Sequence, residues 1–412
     1  MSILALDGGM PELSGVGELP AWPRRRPGDD EALLDVLRSG KWGSTAGTVV
    51  AEFEREFAEY HETAHGTALA NGTLALVVAL RACGVGVGDE VVVPPYTFIA
   101  TASAALFVGA VPVFADVDPD THLLDPYAVE AAITSRTRAI IPVHLGGRAA
   151  DMEAFARLGR EHDLAVIEDC AQAVGTRYRG TPVGTLGNVG TFSFQSSKNM
   201  TAGEGGLVVT NDDELGSRLY SLVNVGRVRD GGWYQHESVG YNLRMTEFQG
   251  ALLRRQLQQH PADQEVRARN AEILRTELDG VDGIQLTPKD PDLTTHGHHL
   301  FMLRLPALGE HDLRDTAVAA LAAEGVEAAT GYVPLHRNRA VEAEARQLAE
   351  RLGQARPEPV CPATDLVSRD TVWLPQRMLL GSEEQTQAIA RAVRKVVTAG
   401  DALRAHQGKD AA

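Results

Sequence analysis

From about residue 50 the chain alternates helical patterns with short apolar runs rich in β-branched residues, and this alternation leaves few architectures open. AEFEREFAEYH and TLALVVALRAC read as helices, whereas EVVVPP, VPVFADV, TRAIIPVH, LAVIEDC, GTFSFQ and GGLVVT read as strands bounded by Pro, Gly or Asp. Strands that are apolar on both faces need helices on both sides, so the expected class is α/β with a mostly parallel sheet. After about residue 210 the apolar period becomes 3.6, which predicts a long helix joining the large domain to a smaller α+β one. The expected division is 1–50 as an N-terminal arm and substrate loop, 51–260 as the large domain, 261–400 as the small domain and 401–412 as a disordered tail.

With 412 residues and 44% hydrophobic composition the chain can bury a large core. Its 39 Lys+Arg against 55 Asp+Glu give a formal charge of −16, which argues against nucleic acid or an anionic membrane as the main partner. A small ligand is the better expectation. No stretch approaches ~18 consecutive apolar residues, and the first residues lack a secretory pattern, so a cytoplasmic protein is expected. Cys83, Cys170 and Cys361 are odd in number and widely spaced, which suggests neither a disulfide framework nor a metal site.

The segment TFSFQSSKNMTAGEGGLVVT places Lys198 in a loop at the end of a strand. A lysine that forms a Schiff base near neutral pH must be partly desolvated so that its ammonium pKa falls. A solvated loop lysine is the plainer reading of this segment alone. Asp169 closes the run LAVIEDC, at the mouth where ligands of open α/β sheets bind. A carboxylate there can keep a pyridine nitrogen protonated, or it can be an ordinary helix N-cap. ALANGTLALVVAL supplies a glycine turn before a helix, so Gly72, Thr73 and Leu74 could cradle a phosphate, with Ser193 adding a hydroxyl.

In order along the chain, NGTLAL, VVPPYTFIAT, GAVPVFADVD, IIPVHLGG, VIEDCAQAVG, FSFQSSKNMTAGEGG, VGYNLRMTEFQGAL and YVPLH resemble the DegT/DnrJ/EryC1/StrS aminotransferases of fold type I over nearly the whole chain. The resemblance implies pyridoxal 5'-phosphate (PLP) as cofactor and a seven-stranded sheet. By it, Lys198 is the Schiff-base lysine and general acid/base, Asp169 the pyridinium partner, Gln172 the group near the ring hydroxyl, and Phe98 the stacking aromatic. Thr73, Leu74 and Ser193 would hold the phosphate. Asn242, with Arg244 nearby, would reach the phosphate of a neighbouring subunit, which implies a homodimer.

The implied reaction takes an amino group from glutamine or glutamate to a cyclic, hydroxyl-rich ketone. LPAWP, SGKWGSTAG and TAGEGG are similar to the cyclitol and aminohydroxybenzoate branch of natural-product pathways rather than to the nucleotide-sugar branch. Arg24, Arg25, Arg26, Arg227, Arg229 and Arg337 are scattered, and surface solvation accounts for them better than a diphosphate site. Trp42, His144, Tyr332 and His336 are substrate-facing candidates, with a satisfied structural histidine as the other reading of His144 and His336. Two alternatives stand beside the aminotransferase: a dehydratase-aromatase of the 3-amino-5-hydroxybenzoate synthase type, and a PLP-sensing regulator, which the acidic charge and the lack of a basic helix-turn-helix pattern disfavour.

Overall fold

In the computed structural model, which describes residues 3–229, 231–232, 234–356 and 358–410, all six apolar runs become strands of one seven-stranded sheet. The strands are β1 (His65–Leu69), β2 (Glu90–Val93), β3 (Val111–Phe114), β4 (Thr137–Ile140), β5 (Ala165–Asp169), β6 (Val189–Ser193) and β7 (Gly206–Thr210). Their order is β1-β7-β6-β5-β4-β2-β3. Only β7 runs opposite to its neighbours, so the sheet is mostly parallel as expected.

Every residue of β2, β6 and β7 is buried, because helices cover both faces. Val49–Tyr60, Met152–His162 and the first half of Glu247–Leu278 pack on one side around Phe53, Phe57, Phe155, Phe192 and Phe194. Gly72–Ala82, Ala100–Phe107 and Asp213–Val223 pack on the other through Leu76, Val78, Leu80 and Leu219. The carboxyl ends of β5 and β6, and the start of the helix after β1, converge on one mouth. Open α/β sheets bind ligands at such a mouth.

The long helix Glu247–Leu278 begins with a reciprocal cap between Thr246 and Gln249, and its 32 residues span about 48 Å. It continues through Pro261, so the expected boundary between 260 and 261 falls inside one unbroken helix. Its second half joins a separate core built on the sheet of Gln285–Leu286, Leu300–Arg304 and Thr371–Pro375 and on the helices Arg314–Ala323 and Glu383–Val397.

The ends of the chain depart from expectation. Leu4 is buried in the second core, and the backbone N–H groups of Ala5 and Glu12 both donate to the Glu324 carboxylate. The start is therefore tied down and is no free arm. The tail expected to be disordered is helical over Gly400–Asp410, because Leu403 is wholly buried in the same core; residues 411 and 412 lie outside the described residues. No helix among the described residues is long and apolar enough to cross a membrane.

Candidate active site

Residues 194–205 turn β6 back into β7, and the turn is held at several points. The Lys198 N–H donates to the Gln195 carbonyl at 2.9 Å, and Ala202 N–H donates to the Phe194 carbonyl at 3.1 Å. Gln256, on the long helix, grips Thr201 by both its N–H, at 2.7 Å, and its carbonyl, at 2.6 Å. Below the turn, Phe194 packs edge-on against Phe53 and Phe57 with ring centroids 5.5 and 5.6 Å apart. The indole N–H of Trp22, from the N-terminal LPAWP segment, donates to the Ser196 carbonyl at 3.1 Å. Lys198 is half-buried, with one side open to the cleft. Desolvation lowers its pKa to about 8, against the opposing pull of Asp169.

Asp169 ends β5 and is 5% exposed. Its Oδ2 accepts the Thr101 hydroxyl at 3.0 Å and its Oδ1 accepts the Ala171 N–H at 3.2 Å. Thr97 stands 3.2 Å behind Thr101. Burial pushes the carboxyl above its ordinary pKa, while those hydrogen bonds and the charge of Lys198 pull it back. A carboxylate so enclosed gains most from a cationic N–H placed on its open side.

The third wall is the start of Gly72–Ala82. Asn71 caps this helix by accepting the Leu74 N–H at 2.9 Å, so that N–H is already occupied and cannot join a phosphate cradle. Leu74 still lines the cleft. The Gly72 and Thr73 N–H groups take no partner among the described residues and face it. A Cβ on Gly72 would lie 2.6 Å from Ser193 Cβ, so only glycine lets the helix start come this close to the Ser193 hydroxyl.

Lys198, Asp169, Gly72, Thr73, Leu74, Phe98, Gln172, Ser193 and Tyr332 all line one cleft of about 860 Å³. Phe98 is 54% exposed there, its ring centroid 6.5 Å from that of Tyr332. Asn242 is exposed and lies outside this chain's cleft; Arg244 donates to Asn224 at 2.9 Å, and Asn224 bridges to Asn242. Three substrate candidates need correction. His144 is fully buried with both nitrogens engaged: Nε2 donates to Glu168 at 2.9 Å and Nδ1 accepts from the Ala150 N–H at 3.0 Å. His336, within the three-residue helical turn Leu335–Arg337, is bound to Asp365 at 3.0 Å. Trp42 packs on Phe248 and donates to the Leu37 carbonyl, off the cleft wall.

The cleft also holds residues that the sequence reading did not single out: Asn71, Glu204, His299, Glu327 and Trp373 in the wall, and Thr101 behind Asp169. Asn71 had a signal, since Asn before Gly-Thr at a helix start is a strong cap. His299 directly precedes the strand Leu300–Arg304 and Trp373 lies in Thr371–Pro375, and nothing local in the sequence places them in the wall of this cleft. The buried cluster of His144, Glu168 and Cys170 has the spacing of metal ligands, but the Glu168 carboxylate is already filled by His144 and the N–H groups of Gly184, Leu186 and Gly187.

A family model of DegT/DnrJ/EryC1/StrS aminotransferases matches residues 24–394. The chain is 42% identical over 411 residues to an L-glutamine:2-deoxy-scyllo-inosose aminotransferase of Streptomyces lividus, covering 94% of this chain and 96% of that one. It is similar to a solved 3-amino-5-hydroxybenzoic acid (AHBA) synthase at 38% identity and TM-score 0.85, over 92% of this chain and 99% of that one. It is also similar to S. venezuelae DesV, solved in complex with a ketimine intermediate, at 38% identity and TM-score 0.79, over 90% and 94% of the two chains.

Proposed function

The chain belongs to the DegT/DnrJ/EryC1/StrS aminotransferase family, and on that footing we propose that it moves an amino group from L-glutamine to a cyclic polyhydroxy ketone of the inosose type, using pyridoxal 5'-phosphate. The residues present fit that cofactor: a lysine with lowered pKa, a buried carboxylate open on one side, and a helix start that only glycine allows so near Ser193. The cofactor supplies an electron sink for charge at the substrate carbon and stores the amino group between two half-reactions.

Lys198 would hold the cofactor through its amine and would take a proton from, and return it to, the substrate carbon that carries the nitrogen. A pKa of about 8 leaves about a tenth of it as free amine at pH 7, enough for a base that must also act as an acid. Asp169, braced by Thr101 and Ala171, would keep a proton on the ring nitrogen. Gly72, Thr73 and Ser193 would receive the phosphate, and Phe98 and Gln172, which line the same cleft, would hold the ring. The exposure of Asn242 supports a homodimer in which Asn242 of the partner subunit completes the phosphate site.

One observation carries the choice of acceptor. Among the described residues no arginine and no lysine except Lys198 lines the cleft, whereas Asp169, Glu204 and Glu327 do. A nucleotide-linked sugar brings a diphosphate that asks for cations, and a neutral polyol does not. The likeness to the AHBA synthase structure favours a second reading, in which the same lysine expels a hydroxyl and makes an aminobenzoate.

Product analysis separates the two. Purified protein given L-glutamine and 2-deoxy-scyllo-inosose is expected to yield an aminocyclitol by mass spectrometry. A product with the near-ultraviolet absorption of an aromatic ring would establish the second reading, and turnover of nucleotide keto sugars alone would overturn the choice of acceptor.

A further inference from the structure

His299 and Tyr332 face the cleft from the C-terminal part of the chain, and backbone groups fix the hydrogen-bond polarity of each. Asn199 Nδ2 donates to the Gly297 carbonyl at 2.7 Å. A carbonyl only accepts, so the amide cannot be reversed without setting two oxygens together. Asn199 Oδ1 therefore faces His299 Nδ1, at 3.0 Å, and that nitrogen must hold the proton. Burial, with the charges of Lys198 and Arg267 adding to it, holds this imidazole well below its ordinary pKa and keeps it neutral. Nε2 is left as a bare lone pair opening on the cleft, with no partner among the described residues.

Tyr332 has the opposite polarity. Gln172 Oε1 accepts the Gly146 N–H at 2.7 Å, so its Nε2 is the group that donates to the Tyr332 hydroxyl oxygen at 2.9 Å. Burial pushes the phenol up, and its proton stays on and can be donated into the cleft. One turn, Leu145–Gly147, organises both residues: Gly146 also accepts the His299 N–H and Gly147 accepts the Gly297 N–H, each at 2.9 Å.

We infer that His299 Nε2 and Tyr332 Oη form a matched acceptor and donor that select an α-hydroxy ketone. The substrate hydroxyl donates to His299 Nε2 and the neighbouring carbonyl oxygen accepts from the Tyr332 hydroxyl. A lone pair at Nε2 repels carboxylate or phosphate, so the group recognised there is a neutral hydroxyl. This assignment rests on the aminotransferase reading and narrows its acceptor. It makes both residues specificity determinants for the second half-reaction.

The test takes the half-reactions one at a time on cofactor-loaded protein, following the visible band as L-glutamine discharges it and as 2-deoxy-scyllo-inosose restores it. His299→Leu and Tyr332→Phe are expected to raise the KM for the ketone roughly 10-fold or more, with at least that excess over any effect on the glutamine half. His299→Gln, which can offer an amide oxygen, should recover part of the loss. Nitrogen NMR of histidine-labelled wild type, with His299→Gln to assign the signal, should show a neutral ring protonated at Nδ1 near pH 7. Equal losses in both halves, an unchanged ketone KM, or a ring protonated at Nε2 would overturn the assignment. A wild type whose band ignores every amino donor would overturn the aminotransferase reading and the acceptor role with it, and the nitrogen spectrum would still decide the tautomer.

Discussion

Asp169 ends β5 and Lys198 lies in the turn that follows the adjacent β6, and burial shifts each toward its uncharged form. For Lys198 the sign can be worked out. The folded protein releases its proton near pH 8, whereas the unfolded chain keeps it to the ordinary value of 10.5. Between those values the unfolded state binds more protons, so stability rises with pH. Cofactor-free protein should gain about 1–3 kcal/mol across that window relative to Lys198→Met, the open side of the cleft screening part of the effect; denaturant titrations at pH 8 and 10.5 measure it. Thr101→Val removes a hydrogen bond to Asp169 with little change of volume, and should slow the glutamine half-reaction roughly tenfold. At this scale the sequence was most legible where a chemical group closes a strand or lies in the turn just after one, as Asp169 and Lys198 do. It was least legible for His144 and His336, whose partners Glu168 and Asp365 lie 24 and 29 residues away, so the sequence could not tell a ligand from a satisfied structural histidine.

Among the elements, the parallel strands were readable because apolar runs buried on both faces have few other uses. The reversal of β7 was missed, although its cause lies in the sequence: residues 194–205 join β6 to β7 without a helical pattern, and parallel pairing needs a crossover, usually a helix. The same reversal brings the lysine turn back over the sheet mouth. Gly72 marks the tightest approach of two elements. Gly72→Ala would press a methyl to 2.6 Å from Ser193 Cβ, forcing the helix start away. We expect a roughly tenfold or greater loss of cofactor affinity, measured by equilibrium dialysis, because the Thr73 N–H and the Ser193 hydroxyl no longer converge. The unbroken run of Glu247–Leu278 past Pro261 was invisible locally, since both halves of that helix are held by packing on different cores.

Taken as a whole, the molecule ties its first residues to its last helices through one buried charge. Glu324 is fully buried; it accepts the N–H groups of Ala5 and Glu12 and pairs with Lys395 at 2.9 Å. Glu324→Ala would leave a nearly buried ammonium with only the more distant Glu12 carboxylate, at 3.8 Å, and the Met10 carbonyl, at a cost of about 2–4 kcal/mol by chemical denaturation. The two N–H contacts span more than 300 residues, which is why the start was read as an arm. The measurement that bears most directly on the account is the absorption spectrum of purified wild type and Lys198→Ala as L-glutamine is added. The wild type should lose the visible band of its lysine-bound cofactor and gain a near-ultraviolet band of the amine form, while Lys198→Ala should do neither. A wild type without the visible band, or one that ignores every amino donor, would contradict the account.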